Sequence, residues 1–323
     1  MVTACEEIAK YEDLSDEQWH AIRRTGFGGS DAGPIMGASK YASAFSVCME
    51  KSGIADSEYT SSEQAKVGTI LEPYIRSGIF PAYMEEQGHT VEVLTPDAVY
   101  RSTREPSMIA NVDGFAVVDG ELAGLELKTG NSYVLSDWKS GAVPESYYWQ
   151  CQHYMYVTGL TRWYLFGIIG NNRILRVIEA NHEHMANLAA KCAKLWKLVE
   201  ARDPMQFPAP EATAGDKAAL DSYGLPLTDT EIDISEYEWL AKEYVALTAE
   251  IKKYEKEKER TKERLLQAMG SASQATAGDY RIKRSAFKTS RLDTKALKND
   301  DPGLFARYSY ESEQSRMTVK EAV

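Results

Sequence analysis

The first two-thirds of the chain alternates between helix-period and strand-period patterns. Residues 15–24 read as a short helix. Ser15 is its candidate N-cap, and Gln18 stands three residues later, the spacing of a capping box. The run from Gly26 to Asp31 is a tight glycine turn leading into a helix from Ser30. Residues 61–80 suit a helix around Val67, Leu71 and Ile75. Three strands are predicted at 90–94, 110–118 and 122–128, with Asp119-Gly120 as a strong hairpin turn between the last two. A helix over 145–158, a strand pair at 163–169 and 174–179, and a helix over 182–201 ended by Asp203-Pro204 complete this part. The order predicts a mixed α/β domain over residues 1–205.

Beyond it the pattern changes. Residues 206–230 are rich in Pro, Ala, Gly and Asp and are expected to form a linker or surface loop. Residues 231–323 form an accessory region that opens with a long helix, about 234–269. Tyr237, Leu240, Tyr244, Leu247, Ile251 and Tyr254 alternate spacings of three and four, a heptad seam that turns polar at Lys258 and Thr261 and resumes at Leu265. That seam fits a short coiled coil or a helix packed along another element. A strand is expected over 278–284. Residues 281–298 hold seven Lys or Arg against one Asp, a candidate phosphate-contacting segment or a solvated basic face.

Composition narrows the classes. The 323 residues are 43% hydrophobic and 26% charged, which excludes a disordered or collagen-like chain. No run approaches the roughly 18 apolar residues of a membrane span, and the acidic N-terminus lacks a signal-peptide core, so a cytoplasmic protein is expected. The four cysteines are widely spaced and form no CxxC pair, which favours buried free thiols over disulfides or a metal cluster. A net charge of -11 argues against holding nucleic acid by bulk attraction but leaves room for a nuclease with a local basic groove. The chain has no P-loop and no GxSxG, so NTPase and hydrolase-triad chemistry find no support.

The chemistry concentrates in Asp113 and the run Glu126-Leu127-Lys128. On a strand, residues two apart share a face, so Glu126 and Lys128 point together and the hairpin brings Asp113 toward them. Two carboxylates and the Leu127 carbonyl make an all-oxygen site suited to Mg²⁺ or Mn²⁺. A neighbouring lysine can orient an attacking water and stabilise charge on a phosphate. Alone, this spacing also fits a surface salt-bridge ladder.

Further motifs follow the same order: Trp19 with Arg23, Gly28-Gly29-Ser30, the run from Gly68 to Glu72, and the aromatic-rich helix with Gln150 and Gln152. Over roughly residues 15–205 this order resembles the YqaJ-like viral recombinase family and, more distantly, lambda exonuclease. Both have the PD-(D/E)XK fold, a mixed central sheet flanked by helices. Val112 stands where the motif usually has proline. The resemblance implies that Asp113 and Glu126 bind metal, that Lys128 is the catalytic lysine, and that Glu72 helps hold the metal directly or through water. It places Gln150 near the nucleophile or scissile phosphate, and makes Arg23 and Ser30 the grip on a DNA 5′-phosphate. Arg24 is the alternative to Arg23 if the register shifts by one. Glu72 also fits a plain helix charge before Pro73, and Gln150 an interior amide. Gln152 and His153 read as structural. Arg281, Lys283 and Arg284 are further candidate DNA contacts.

The activity implied is a Mg²⁺-dependent (or Mn²⁺-dependent) 5′→3′ exonuclease of phage or prophage recombination, with two ions per site. It would act on double-stranded DNA ends and leave 3′ single strands. A ring-shaped trimer and a single-strand annealing partner are implied too. The competing readings are a structure- or sequence-selective endonuclease on the same fold, and a non-catalytic DNA-binding module.

Overall fold

In the computed structural model, residues 4–55, 63–224, 227–310, 317 and 319 are described. Residues 61 and 62 of the expected 61–80 helix lie outside them. The chain forms two compact units, Met1–Leu227 and Thr228–Val323.

The first unit begins with β1 (Cys5–Lys10), α1 (Asp16–Arg23), α2 (Gly29–Ile35) and α3 (Ala44–Lys51). Next come α4 (Glu63–Tyr74), one wide helical turn at Ile75–Ile79, and α5 (Phe80–Glu86). Strands β2 (Val91–Leu94), β3 (Ala98–Ser102), β4 (Ile109–Ala110), β5 (Gly114–Val118) and β6 (Glu121–Gly130) follow. Then come α6 (Glu145–Thr158), β7 (Arg162–Ile169), β8 (Asn172–Glu179), α7 (His182–Ala201) and α8 (Ala214–Tyr223).

The central sheet has the order β2-β5-β6-β7-β8. Its pairs are antiparallel except β6 and β7, which run parallel because α6 carries the chain across between them. A second sheet, β1-β3-β4, lies beside it in sequence. Asp119 and Gly120 take φ values of 51° and 88° at the β5–β6 turn, the double left-handed conformation that Asp-Gly supplies at low cost.

Strand alternation sorts the sheet's two faces. Leu125, Leu127, Tyr164 and Phe166 pack with Ile75, Phe80 and Met84 of the α4–α5 layer. Leu165 and Trp163 face the larger core with α2, α3, α6 and α7. Helices thus cover both faces, and the expected mixed sheet flanked by helices is what the chain forms. The Ser15 cap is present, with Gln18 N–H donating to Ser15 Oγ at 3.3 Å and Ser15 N–H to Gln18 Oε1 at 2.9 Å. All four cysteines are free, and three of them are buried.

Three expectations need correction. The single strand expected over 110–118 is split between β4 and β5, and Asp113 sits in the break. On α4, Val67 and Leu71 are 50% and 39% exposed, and only Ile75, past the helix end, is buried. The stretch 206–230 is no plain linker: α8 carries a Thr213–Asp216 capping box and packs onto α3. There the Asp216 carboxylate accepts from Ser43 Oγ at 2.6 Å and from Glu211 N–H at 2.8 Å.

The second unit contains α9 (Glu238–Met269), the hairpin β9 (Gln274–Ala277) and β10 (Tyr280–Lys283), then α10 (Thr294–Asp300) and α11 (Pro302–Tyr308). The predicted long helix and the predicted strand are both present. The α9 seam residues Leu240, Tyr244, Leu247, Ile251 and Tyr254 are exposed. Among the described residues no helix is long and apolar enough to cross a membrane.

Candidate active site

One cleft of about 290 Å³ gathers Arg23, Ser30, Glu72, Asp113, Glu126, Leu127, Lys128 and Gln150. Arg24 is exposed and does not line it.

The acidic centre is built on the β5–β6 edge. Gly114 pairs with Leu125, so β6 runs past the end of β5 and leaves the edge at Leu127 open. The Leu127 N–H donates to Asp113 Oδ2 at 2.8 Å. In an extended strand a residue's N–H and C=O point to the same edge, so the Leu127 carbonyl also faces Asp113. Glu126 projects from the opposite face to Leu127, toward α6. Its Oε1 accepts from Lys128 Nζ at 2.5 Å and from Gln150 Nε2 at 2.7 Å. Lys128 also lies 4.7 Å from the Tyr147 ring centroid, a cation–π contact.

Gln150 therefore holds Glu126. It also donates to Tyr154 Oη at 3.0 Å, and Tyr154 donates to the Asn111 carbonyl at 2.9 Å. That chain ties α6 to the backbone just before Asp113. Close approach is needed here: a Cβ on Gly29 would sit 2.4 Å from Tyr154 Cζ, so only glycine lets α2 lie against α6 at this point.

The electrostatics are those of crowded acids. Loss of solvation, then the Glu126 charge, pushes Asp113 up to about 7. Burial likewise raises Glu126, with Lys128 opposing. Burial also raises Glu72, reinforced by Asp113 and opposed by Arg76, with which Glu72 forms an ion pair. Burial works against the Lys128 ammonium, but Glu126 and Asp113 outweigh it and hold the lysine charged.

Do these residues fit a divalent cation? Among the described residues Glu126 Oε2 is buried with no hydrogen-bond partner. A shared excess of negative charge and an unpartnered carboxylate oxygen suit a hard cation with oxygen ligands. Among the described residues no three acidic, His or Cys side chains converge on one point. The fitting donor set is therefore Asp113, Glu126 and the Leu127 carbonyl, with Glu72 at its margin, held by Arg76.

In the same cleft, Arg23 closes α1 and Ser30 stands in the first turn of α2. Among the described residues neither side chain has an ion pair or hydrogen bond. Sequence reasoning missed Lys51, whose side chain is 1% exposed. Its Nζ donates to the Arg23 carbonyl at 2.9 Å and pairs with Asp31 Oδ2 at 2.9 Å, and Asp31 in turn accepts from Gly28 N–H at 2.7 Å. Lys51 so ties the Arg23 turn to the Ser30 turn. The Gly28 amide is taken by Asp31, while Arg23 and Ser30 line the cleft. Arg76 was missed as well, although an arginine four residues after Glu72 is a readable helix pair. Gln152 and His153 are structural, as expected: Gln152 bonds the Glu179 carbonyl at 2.8 Å and the Asn181 N–H at 2.9 Å, and His153 the Ile109 carbonyl at 2.8 Å.

Asp113, just before β5, and Glu126-x-Lys128 on β6 thus meet in one cleft on the mixed sheet. Residues 18–161 match the family model of the YqaJ-like viral recombinase domain, which bears out the resemblance read from the motifs. The chain is similar to an uncharacterized protein, YqaJ, of Bacillus subtilis (strain 168): 27% identity over 326 residues, covering 98% of each. It is also similar to an alkaline exonuclease (LHK-Exo) from Laribacter hongkongensis, at 22% identity and a TM-score of 0.47, covering 57% of this chain and 93% of that one. The same exonuclease in complex with dAMP gives the same values.

Proposed function

We propose that this protein is a metal-dependent deoxyribonuclease of recombination, a 5′→3′ exonuclease that degrades one strand of linear duplex DNA and leaves 3′ single strands. The observation that carries this reading is the cleft itself. It brings Asp113, Glu126 and Lys128 together with Arg23 and Ser30, whose side chains have no ion pair or hydrogen bond among the described residues. An end-gripping pair beside a hydrolytic centre is what terminal cleavage needs. The domain match to viral recombinases agrees with it.

Asp113, Glu126 and the Leu127 carbonyl would hold Mg²⁺ or Mn²⁺, one or two ions, with Glu72 contributing through water. When bound, such an ion polarises the scissile phosphate and lowers the pKa of an attacking water. Lys128 keeps its charge and positions that water or the phosphate oxygen. Gln150 and Tyr154 fix the Glu126 carboxylate. Arg23 binds a terminal phosphate through its guanidinium fork, and Ser30 adds a hydroxyl donor. We further propose the ring-shaped trimer, a single-strand annealing partner and a phage or prophage setting in the cytoplasm.

Linear duplex DNA labelled at either end tests this. Metal-dependent loss from the 5′ ends is expected, stopped by EDTA and, in Lys128→Ala, reduced at least about a hundredfold. A closed circle should stay intact. Cutting of the circle would replace the exonuclease with an endonuclease, and binding without cleavage would leave a DNA-binding module on this scaffold.

A further inference from the structure

The second unit carries a charge arrangement that the cleft does not use. Along α9 eight Lys or Arg are interspersed in sequence with seven Glu, and among the described residues two of them are ion-paired, Lys242 with Glu238 at 2.9 Å and Lys262 with Glu259 at 2.7 Å. Residues 281–298 lack that interspersion. They hold seven Lys or Arg and one Asp, in a chain of net charge -11. The one acid, Asp293, is spent on capping α10 through the Ala296 N–H at 2.9 Å. Among the described residues no cation of this stretch has an ion pair.

Geometry gathers them. In the β9–β10 hairpin Arg281 faces Thr276 and Lys283 faces Gln274 across the ladder, so both cations and two polar side chains share one face. Ala275 and Ile282 take the other face and are half-buried. Arg284 is anchored, with Nη1 donating to the Gly270 carbonyl at 2.9 Å. From there residues 284–293 run without regular structure and place Phe287, 80% exposed, beside Lys288 and ahead of Arg291.

A row of unneutralised cations matches a phosphate backbone. An exposed aromatic ring between cations adds a platform that only an unstacked base can use. The geometry points to a second nucleic-acid site on residues 281–291, one that binds single-stranded DNA independently of the cleavage centre. That the strand is the reaction's own product rests on the exonuclease reading; the binding itself does not.

Binding of the full chain to a labelled single-stranded oligonucleotide, in EDTA and across a KCl series, keeps the two readings apart, since no cleavage is measured. Two variants are compared with the unaltered protein, each checked for unchanged helical circular dichroism. One combines Arg281→Glu, Lys283→Glu and Arg291→Glu; the other is Phe287→Ala. The charge reversal should weaken binding at least about tenfold and lower the slope of log affinity on log salt by about 2. Phe287→Ala should weaken single-strand binding about fivefold or more and leave duplex binding unchanged. Unaltered affinity and salt slope in the first variant would overturn the site. So would a Phe287→Ala variant that weakens duplex and single-strand binding alike, or polyglutamate competing as well as DNA, which would make the partner an acidic protein.

Discussion

Glu126 shows how one side chain can be both legible and misread in part. Its face on the strand, and its pairing with Lys128 two residues on, follow from strand alternation alone. Its second partner, Gln150, comes from α6 and was expected near the scissile phosphate. Instead the amide donates to Glu126 Oε1 at 2.7 Å and to Tyr154 Oη at 3.0 Å. Gln150 is then a positioning residue, acting through the carboxylate it orients. Groups of this kind tune metal affinity by about 10–100-fold. Gln150→Ala should raise the half-saturating Mg²⁺ concentration for DNA cleavage by about that factor, with most of the rate recovered at high Mg²⁺. A lower maximal rate at an unchanged Mg²⁺ requirement would place Gln150 on the phosphate instead. Lys51 was invisible for a different reason. In sequence it is an ordinary charge at a helix end, and its partners Asp31 and the Arg23 carbonyl lie 20 and 28 positions away.

At the scale of elements, the strands that carry the chemistry were readable because each has a local signal: alternation, an Asp-Gly turn, and ExK on one face. The helices around them were less so. On α4 a 3.6-residue period made Val67 and Leu71 look like core, yet Ala65, Gly68, Thr69 and Glu72 are the ones that line the cleft. Small residues there let the helix approach the sheet, a property that hydropathy does not register. In α8 the capping box at Thr213 and Asp216 was a usable signal, hidden by a composition that reads as loop. The helix α6 was placed correctly, and its role is to clamp the segment that presents Asp113. His153 bonds the Ile109 carbonyl on β4, so its Nε2 carries the proton. Burial pushes this histidine down to about 4. The native state therefore binds fewer protons here than the unfolded chain, whose histidine titrates near about 6.5. Stability is complete above that value and is lost as pH falls toward about 4. Between about pH 7 and about pH 5 the loss should be about 2 kcal/mol in urea titrations. His153→Gln, whose amide can reach the same carbonyl, should remove this part of the pH dependence. An equal slope in both proteins would show that other groups carry it.

For the whole molecule, the division of labour follows from how each unit holds its charges. In Met1–Leu227 the key ions are buried or half-buried and interlocked: Lys128 with Glu126, Lys51 with Asp31, Arg76 with Glu72. Their strength depends on a dry site and is little affected by salt. In Thr228–Val323 the cations of 281–298 are exposed and, among the described residues, have no ion pair, so any DNA contact they make is screened as ionic strength rises. The two units should then be separable by salt. A chain ending at Leu227 retains both cores and every residue of the cleft. It should unfold cooperatively and cleave linear duplex DNA with Mg²⁺ at low KCl at a rate within about threefold of the full chain. As KCl increases, its activity should fall at lower concentrations than that of the full chain, because the longer chain has a second hold on the strand. Cleavage rates of both proteins across one KCl series decide the matter. If the two curves coincide, the second unit adds nothing to DNA engagement, and its basic stretch is merely solvated. If the short chain is inactive even at low KCl, the cleft depends on the second unit for its assembly, and the charge argument is misplaced.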